Sequence, residues 1–216
     1  MTHLEILNNV LRRLREDEAV SITDSDYTQM VSDFVNDAMD MVQAVHNWHS
    51  LFTEVDITTV ASTQEYTLTG LGQMGQVYYA YNDTSNTPLK EVKLSTMMLQ
   101  TDMGSGSATG SPTTYAYKAL SAGDEPTVLF WPIPGAVETL TFHVKQHQAA
   151  ITDGATEVLV PEQPVIQLAL AMAKEERGED GSGGSGNAMQ KARAVLGDYV
   201  ALDRERHPEL GIWTVQ

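Results

Sequence analysis

Gly181, Gly183 and Gly186 stand at the spacing of G-x-G-x-x-G, the loop that lets a dinucleotide pyrophosphate approach a helix N-terminus. That chemistry needs a buried strand before the glycines and a helix after them. Here a polar helix end precedes them, and the adjacent Glu179 and Asp180 would repel a phosphate. No Lys stands in the P-loop position, so the spacing reads as a loop between helices. His46 and His49 could face one metal ion, but no third ligand accompanies them. Two imidazoles near a helix C-terminus are favoured by the helix dipole without any metal. His143 and His147 would stand roughly 13 Å apart on a strand, too far to share an ion. The run His143-Val144-Lys145-Gln146-His147 also lacks the Glu of a zinc-protease motif. No G-x-S-x-G offers a nucleophile elbow. Glu16-Asp17-Glu18 and Glu175-Glu176 read as solvated helix ends, and Asp24-Ser25-Asp26 as capping. No catalytic residue, no metal site and no cofactor-binding residue is expected.

One stretch of side chains invites a different chemistry. Leu210, Ile212, Trp213 and Val215 follow Pro208 in a segment whose only charged side chain is Glu209. Pro208 should stop the preceding helix, so 208–216 leaves as a separate extended tail. An apolar tail with a Trp is either packed on its own domain or anchored on a partner, where a buried Trp commonly dominates the binding energy.

The elements that must position these residues fall into three stretches. Thr2-His3-Leu4-Glu5 fits a capping box, and Leu4, Leu7, Leu11 and Leu14 then recur at helical spacing. A second helix is expected to start near Asp24 and to carry Tyr27, Val31, Phe34, Ala38, Met41, Val45 and Trp48 on one face, about 37 Å in length. From Leu51 the period changes to two. Strands are expected at Glu54–Thr58, Glu65–Thr69, Gln76–Tyr81, Thr113–Lys118, Thr127–Trp131 and Thr139–Gln146, with a short helix at Leu94–Thr101. Pro161 and Pro164 open a third stretch. Val165–Ala173 is apolar almost all round and should be buried. The run 178–187 reads as a flexible loop by composition, and Met189, Ala192, Leu196, Tyr199 and Leu202 mark a last amphipathic helix.

The expected fold class is α+β. Two N-terminal and two C-terminal helices form a helical bundle, with a small antiparallel β-sandwich or barrel domain inserted between them. The boundaries are 1–50 for the N-terminal helices, 51–160 for the β-rich insertion, 161–207 for the C-terminal helices and 208–216 for the tail.

Composition narrows the functions. The 216 residues contain no Cys, which excludes a disulfide framework, Cys-ligated zinc and a cysteine nucleophile. No apolar run is long enough to span a bilayer, and the first residues lack a signal-peptide apolar core. The net charge of −16 opposes binding that works by phosphate neutralisation. Acidity is general: three basic against nine acidic residues in 1–50, four against eleven in 51–160, and six against nine in 161–216.

Taken in order, several short motifs resemble the head-to-tail adaptor (connector, head-completion) proteins of tailed bacteriophages. They are the N-terminal helix pair ending in Trp48 and leading into Leu51-Phe52; Gln64-Glu65-Tyr66-Thr67-Leu68; Ser111-Pro112-Thr113-Thr114-Tyr115; Leu129-Phe130-Trp131-Pro132-Ile133-Pro134; and Val160-Pro161-Glu162 before a small-residue helix. The resemblance implies a structural virion protein of the neck, assembled in the host cytoplasm, with no enzyme activity and no cofactor. It implies a ring of this chain, usually twelve copies, that binds the portal protein and a tail or tail-completion protein. Genomic DNA passes through the ring without specific binding, and no membrane is involved. It also implies a C-terminal segment that reaches the portal, which places Leu210, Ile212, Trp213 and Val215 at a portal or neighbour-subunit contact. Carboxylates along such a channel would keep it slippery to DNA. The competing reading is a carbohydrate- or protein-binding β-domain, with Tyr78, Tyr79, Tyr81, Trp131 or Trp213 as stacking platforms.

Overall fold

A computed structural model describes residues 1–103, 108–178 and 184–207. The chain is mixed α+β and divides into two compact units. One comprises Met1–Leu51 and the described residues from Gln148 onward; the other is Phe52–His147.

The helical unit begins with α1 (His3–Arg13), capped as its sequence predicts. Thr2 Oγ1 accepts from the Glu5 amide, and Glu5 Oε2 accepts from the Thr2 amide at 2.8 Å. Helix α2 (Asp26–Val45) is N-capped by Ser25. Asp24 instead closes the preceding turn by accepting from the Val20 amide at 2.7 Å. The helix is also shorter than its apolar period suggests. His46 adopts extended backbone angles, and Trp48 folds back so that its indole donates to the Val42 carbonyl at 2.7 Å. Trp48 is therefore buried below the helix end instead of continuing the helix.

Helix α4 (Glu162–Glu176) buries Val165, Ile166, Leu168, Ala169, Ala171 and Ala173, and touches α1, α2 and α5 (Gly184–Arg206). Its small residues permit that crowding. The glycine-rich run read as a flexible loop over 178–187 is helical from Gly184 onward, and 179–183 lie outside the described residues. Packing of Met189, Ala192 and Leu196 against the core outweighs the poor helix propensity of Gly184, Gly186 and Asn187.

The segment 148–160 carries no strand and joins the helical core through Ile151, Val158 and Val160. Its backbone polar groups need partners, and carboxamides on α2 provide them. Gln43 donates to the Gln148 carbonyl at 3.0 Å and accepts from the Gln148 amide at 2.8 Å. Asn36 repeats the arrangement at Ile151, with 3.1 and 2.9 Å. Gln148 in turn donates to the Glu157 carbonyl at 2.6 Å and accepts from the Leu159 amide at 2.9 Å. The carbonyls of Gly154 and Thr156 accept from the first free amides of α1, at Leu4 and His3.

The second unit holds a seven-stranded sheet with the order β1-β9-β3-β4-β6-β7-β2, curled into a nearly closed, barrel-like form. Its strands are β1 (Phe52–Thr58), β2 (Glu65–Thr67), β3 (Gln76–Asn82), β4 (Thr87–Glu91), β6 (Thr114–Leu120), β7 (Pro126–Trp131) and β9 (Thr139–Lys145). A two-residue pair, β5 (Thr109–Gly110) with β8 (Ile133–Pro134), lies apart. The sheet is not wholly antiparallel: β4 and β6 run parallel. Helix α3 (Leu94–Met103) supplies the crossover that a parallel pair requires. Phe130 and Phe142 fill the interior with ring centroids 6.0 Å apart, and Tyr115 packs edge-on to Phe142 at 5.4 Å.

Two outcomes follow from the helical core. Asn36→Asp keeps the acceptor but loses the donor to Ile151, and should cost about 1–3 kcal/mol in urea unfolding, with partial recovery as acid protonates the new carboxyl. His3 is fully buried and donates to or accepts from Ser32 Oγ at 2.8 Å. Burial pushes its pKa below the ordinary 6.5, with Asp33 opposing weakly. The unfolded chain therefore binds the proton more readily. The contribution is full above pH 6.5 and is lost as pH falls through that value towards the lower folded pKa. The fall in urea midpoint between pH about 7.5 and about 5 should be smaller in His3→Gln than in the wild type.

Candidate assembly surfaces

The residues expected to form the anchor, Leu210, Ile212, Trp213 and Val215, lie outside the described residues. What the structure gives is the point from which that segment departs. Asp203 accepts from or pairs with His46 Nε2 at 2.9 Å, and the His207 ring stacks on His49 at 3.8 Å. His46 also packs edge-on to Trp48 at 5.0 Å. The C-terminal end of α5 is thus held against the residues that close α2. Arg204 and Arg206 in its last turn suit the negative end of the helix dipole.

His46 and His49 accordingly face separate partners, Asp203 and His207. Among the described residues no group of three or more His, Asp or Glu side chains is placed to hold a metal ion. Of the glycines at dinucleotide spacing, Gly186 lies within α5, and Gly181 and Gly183 lie outside the described residues. His143 contacts Glu54 through Nδ1 at 3.3 Å and stacks on Tyr79 at 4.1 Å. Among the tyrosines considered as stacking platforms, Tyr79 is exposed, whereas Tyr78 turns against Phe52 at 4.5 Å. Burial raises the pKa of both phenols, and at Tyr79 the Glu54 carboxylate adds to it.

The acidic run after α1 is more than a solvated helix end. Arg177, at the end of α4, donates through Nε to Tyr27 Oη at 2.8 Å, through Nη1 to the Leu14 carbonyl at 3.2 Å, and through Nη2 to Glu16. Its guanidinium also lies over the Tyr27 ring, 5.1 Å from the centroid. Burial works against its charge, but Glu16 and Tyr27 outweigh that and raise its pKa. A cavity of about 370 Å³ opens beside it, lined by Glu16, Asp17, Glu18, Asp24 and Tyr27. Sequence spacing places Arg177 only at a helix end; nothing in it reveals a link to residues some 150 positions earlier.

The second unit exposes apolar side chains at several places, α3 among them. Met98, Leu99 and Met103 on α3 are all more than half exposed, and Leu120 at the end of β6 is also open. A cavity of about 570 Å³ lies beside α3, over the outer face of the sheet. Among the described residues no helix is long and apolar enough to cross a membrane.

The family model of the SU10 adaptor protein matches residues 1–211, and the chain belongs to that family of phage structural adaptors. No curated protein sequence matches the chain.

Arg177→Lys should separate shape from charge at the end of α4. Lysine keeps the cation but cannot serve Tyr27, Leu14 and Glu16 together. A loss of about 1–2 kcal/mol in urea unfolding is expected, after discounting for the partly exposed Glu16 pair. Glu16→Gln should lose less.

Proposed function

We propose that this chain assembles into a ring between portal and tail, continuing the path of the genomic DNA. Membership of the adaptor family over residues 1–211 is the observation that carries this reading. The family supports a structural role in the virion neck, with contacts to other head and tail components, and no enzymatic step. Twelve copies is the stoichiometry implied by the resemblance to connector proteins. Assembly would take place in the host cytoplasm, with the portal protein on one side and a tail or tail-completion protein on the other. The helices of 1–50 and 161–207 would serve as the bundle from which the β-rich part is inserted.

The net charge of −16 per copy suits a conduit that must not grip DNA. Carboxylates repel phosphates, and a lumen with few basic side chains offers little counter-ion release to drive binding.

Within this proposal the segment 208–216 fastens the subunit to the portal or to an adjacent adaptor through Leu210, Ile212, Trp213 and Val215. Seven residues after Glu209 carry no charged side chain, so their desolvation costs little. Deleting 209–216 should leave the thermal midpoint of the folded chain nearly unchanged and abolish attachment to portal-bearing heads. Trp213→Ala should reproduce most of that loss, about 2 kcal/mol or more, roughly thirtyfold in affinity. Normal attachment of the truncated chain, or its unfolding, would remove the anchor from the proposal.

A further inference from the structure

The groove beside α3 has a definite construction. Met98 and Leu129 contribute its apolar side chains, among polar residues from the chain leading into β2 and from α3. Gln64 Nε2 donates to Thr101 Oγ1 at 3.4 Å, and Thr101 donates to the Met97 carbonyl at 3.0 Å, so the helix is tied to the chain leading into β2. Met97 is fully buried and anchors α3. Two charges at the rim, Lys118 and Glu65, already pair at 2.5 Å. A ligand entering here therefore meets the apolar surface of Met98 and Leu129 and a neutralised ion pair, with the exposed carboxylate of Asp102 as the remaining charge of the lining.

The volume, about 570 Å³, is that of a site for one large side chain and its neighbours. Exposed Met98 suits an aromatic guest, because a flexible thioether adapts to a ring and makes favourable sulfur–aromatic contacts. One segment of this chain outside the described residues has the matching chemistry. Leu210, Ile212, Trp213 and Val215 lie within six positions, and no charged side chain stands among them. From His207, fixed by its stack on His49, the nine residues 208–216 can reach up to roughly 30 Å when extended.

We infer that the groove between α3 and the outer face of strands β6, β7 and β2 receives the segment 210–215 of a second copy of this chain, with Trp213 over Met98 and Leu129. This rests on the proposal that 208–216 is an anchor, and it assigns that anchor to a neighbouring adaptor instead of the portal.

The absence of native Cys permits a direct test in the full-length chain. Met98→Cys protein is mixed with Val215→Cys protein and oxidised, and disulfide-linked pairs are separated by mass. Met74→Cys, also at an exposed apolar position of this unit, replaces Met98→Cys in the control. Mixed pairs should exceed the control by about tenfold, because docking raises the local thiol concentration. Trp213→Ala added to the Val215→Cys chain should return the yield to the control level. Equal yields for the two mixtures would overturn the inference, as would a link formed only within single chains of the Met98→Cys/Val215→Cys double variant. Attachment of Trp213→Ala protein to portal-bearing heads is measured in parallel. Equal cross-linking with attachment lost rejects the groove and leaves the anchor on the portal. Equal cross-linking with attachment intact rejects both.

Discussion

The architecture depends on how the chain re-enters its own helical core. A domain inserted between Leu51 and Gln148 obliges the returning segment to run through a region where backbone amides and carbonyls have no ladder to join. Asn36 and Gln43 stand seven residues apart on one face of α2, and each presents a carboxamide that pairs with a backbone amide and carbonyl at once. Asn8 does the same for Ala19 after α1, at 3.0 and 2.8 Å. A carboxamide carries both donor and acceptor in one plane and so imitates a strand neighbour, which a carboxylate cannot do. With these pairs made, Gly154 can approach α1 closely enough that a Cβ there would stand 3.2 Å from Leu4 Cβ. The start of α1, the closure of α2 and the position of α4 all depend on that return path.

In the inserted unit one topological decision has a functional consequence. Pairing β4 with β6 in parallel demands a crossover, and α3 is that crossover. A helix laid over one side of a small curled sheet buries only part of its circumference. Met97 goes inward, whereas Met98, Leu99 and Met103 remain in solvent. Burying such side chains is worth roughly 1.5–3 kcal/mol each, so leaving them out forgoes stability that a partner could recover. The apolar groove beside α3 is thus a by-product of the sheet's order.

Much of this was legible in the sequence because local rules decided it. The capping box at Thr2 and Glu5, the period-two runs of β1, β3, β6, β7 and β9, and the crowded apolar α4 all follow from short-range pattern. What escaped depended on distant partners. The apolar period of α2 runs on to Trp48, and only the hydrogen bond back to Val42 explains why the helix stops earlier. Strand β4, with Thr87-Pro88-Leu89-Lys90-Glu91, has no clean alternation and exists because β3 and β6 flank it. The segment 148–160 reads as part of the β-rich stretch, but side chains more than a hundred residues earlier draw it into the helices. Arg177 is the same case among the site residues. The residues proposed as an anchor, apolar side chains beyond a proline, lie outside the described residues.

Charge sets a condition on any assembly of this chain. Each copy carries −16, and side-by-side copies would face one another's carboxylates well within the Debye length of about 8 Å at physiological salt. Exposed ion pairs contribute too little to offset that repulsion. Contacts between copies must then come from surfaces where charge is absent or already paired. The groove beside α3 comes near that condition, since Glu65 and Lys118 satisfy each other, Met98 and Leu129 are apolar, and the one further charge of its lining, Asp102, is exposed to solvent. The segment after Glu209 meets it from the other side, with no charged side chain to bring into the contact. The acidic surplus therefore selects which surfaces could hold an assembly together, and it favours apolar docking over charge complementarity.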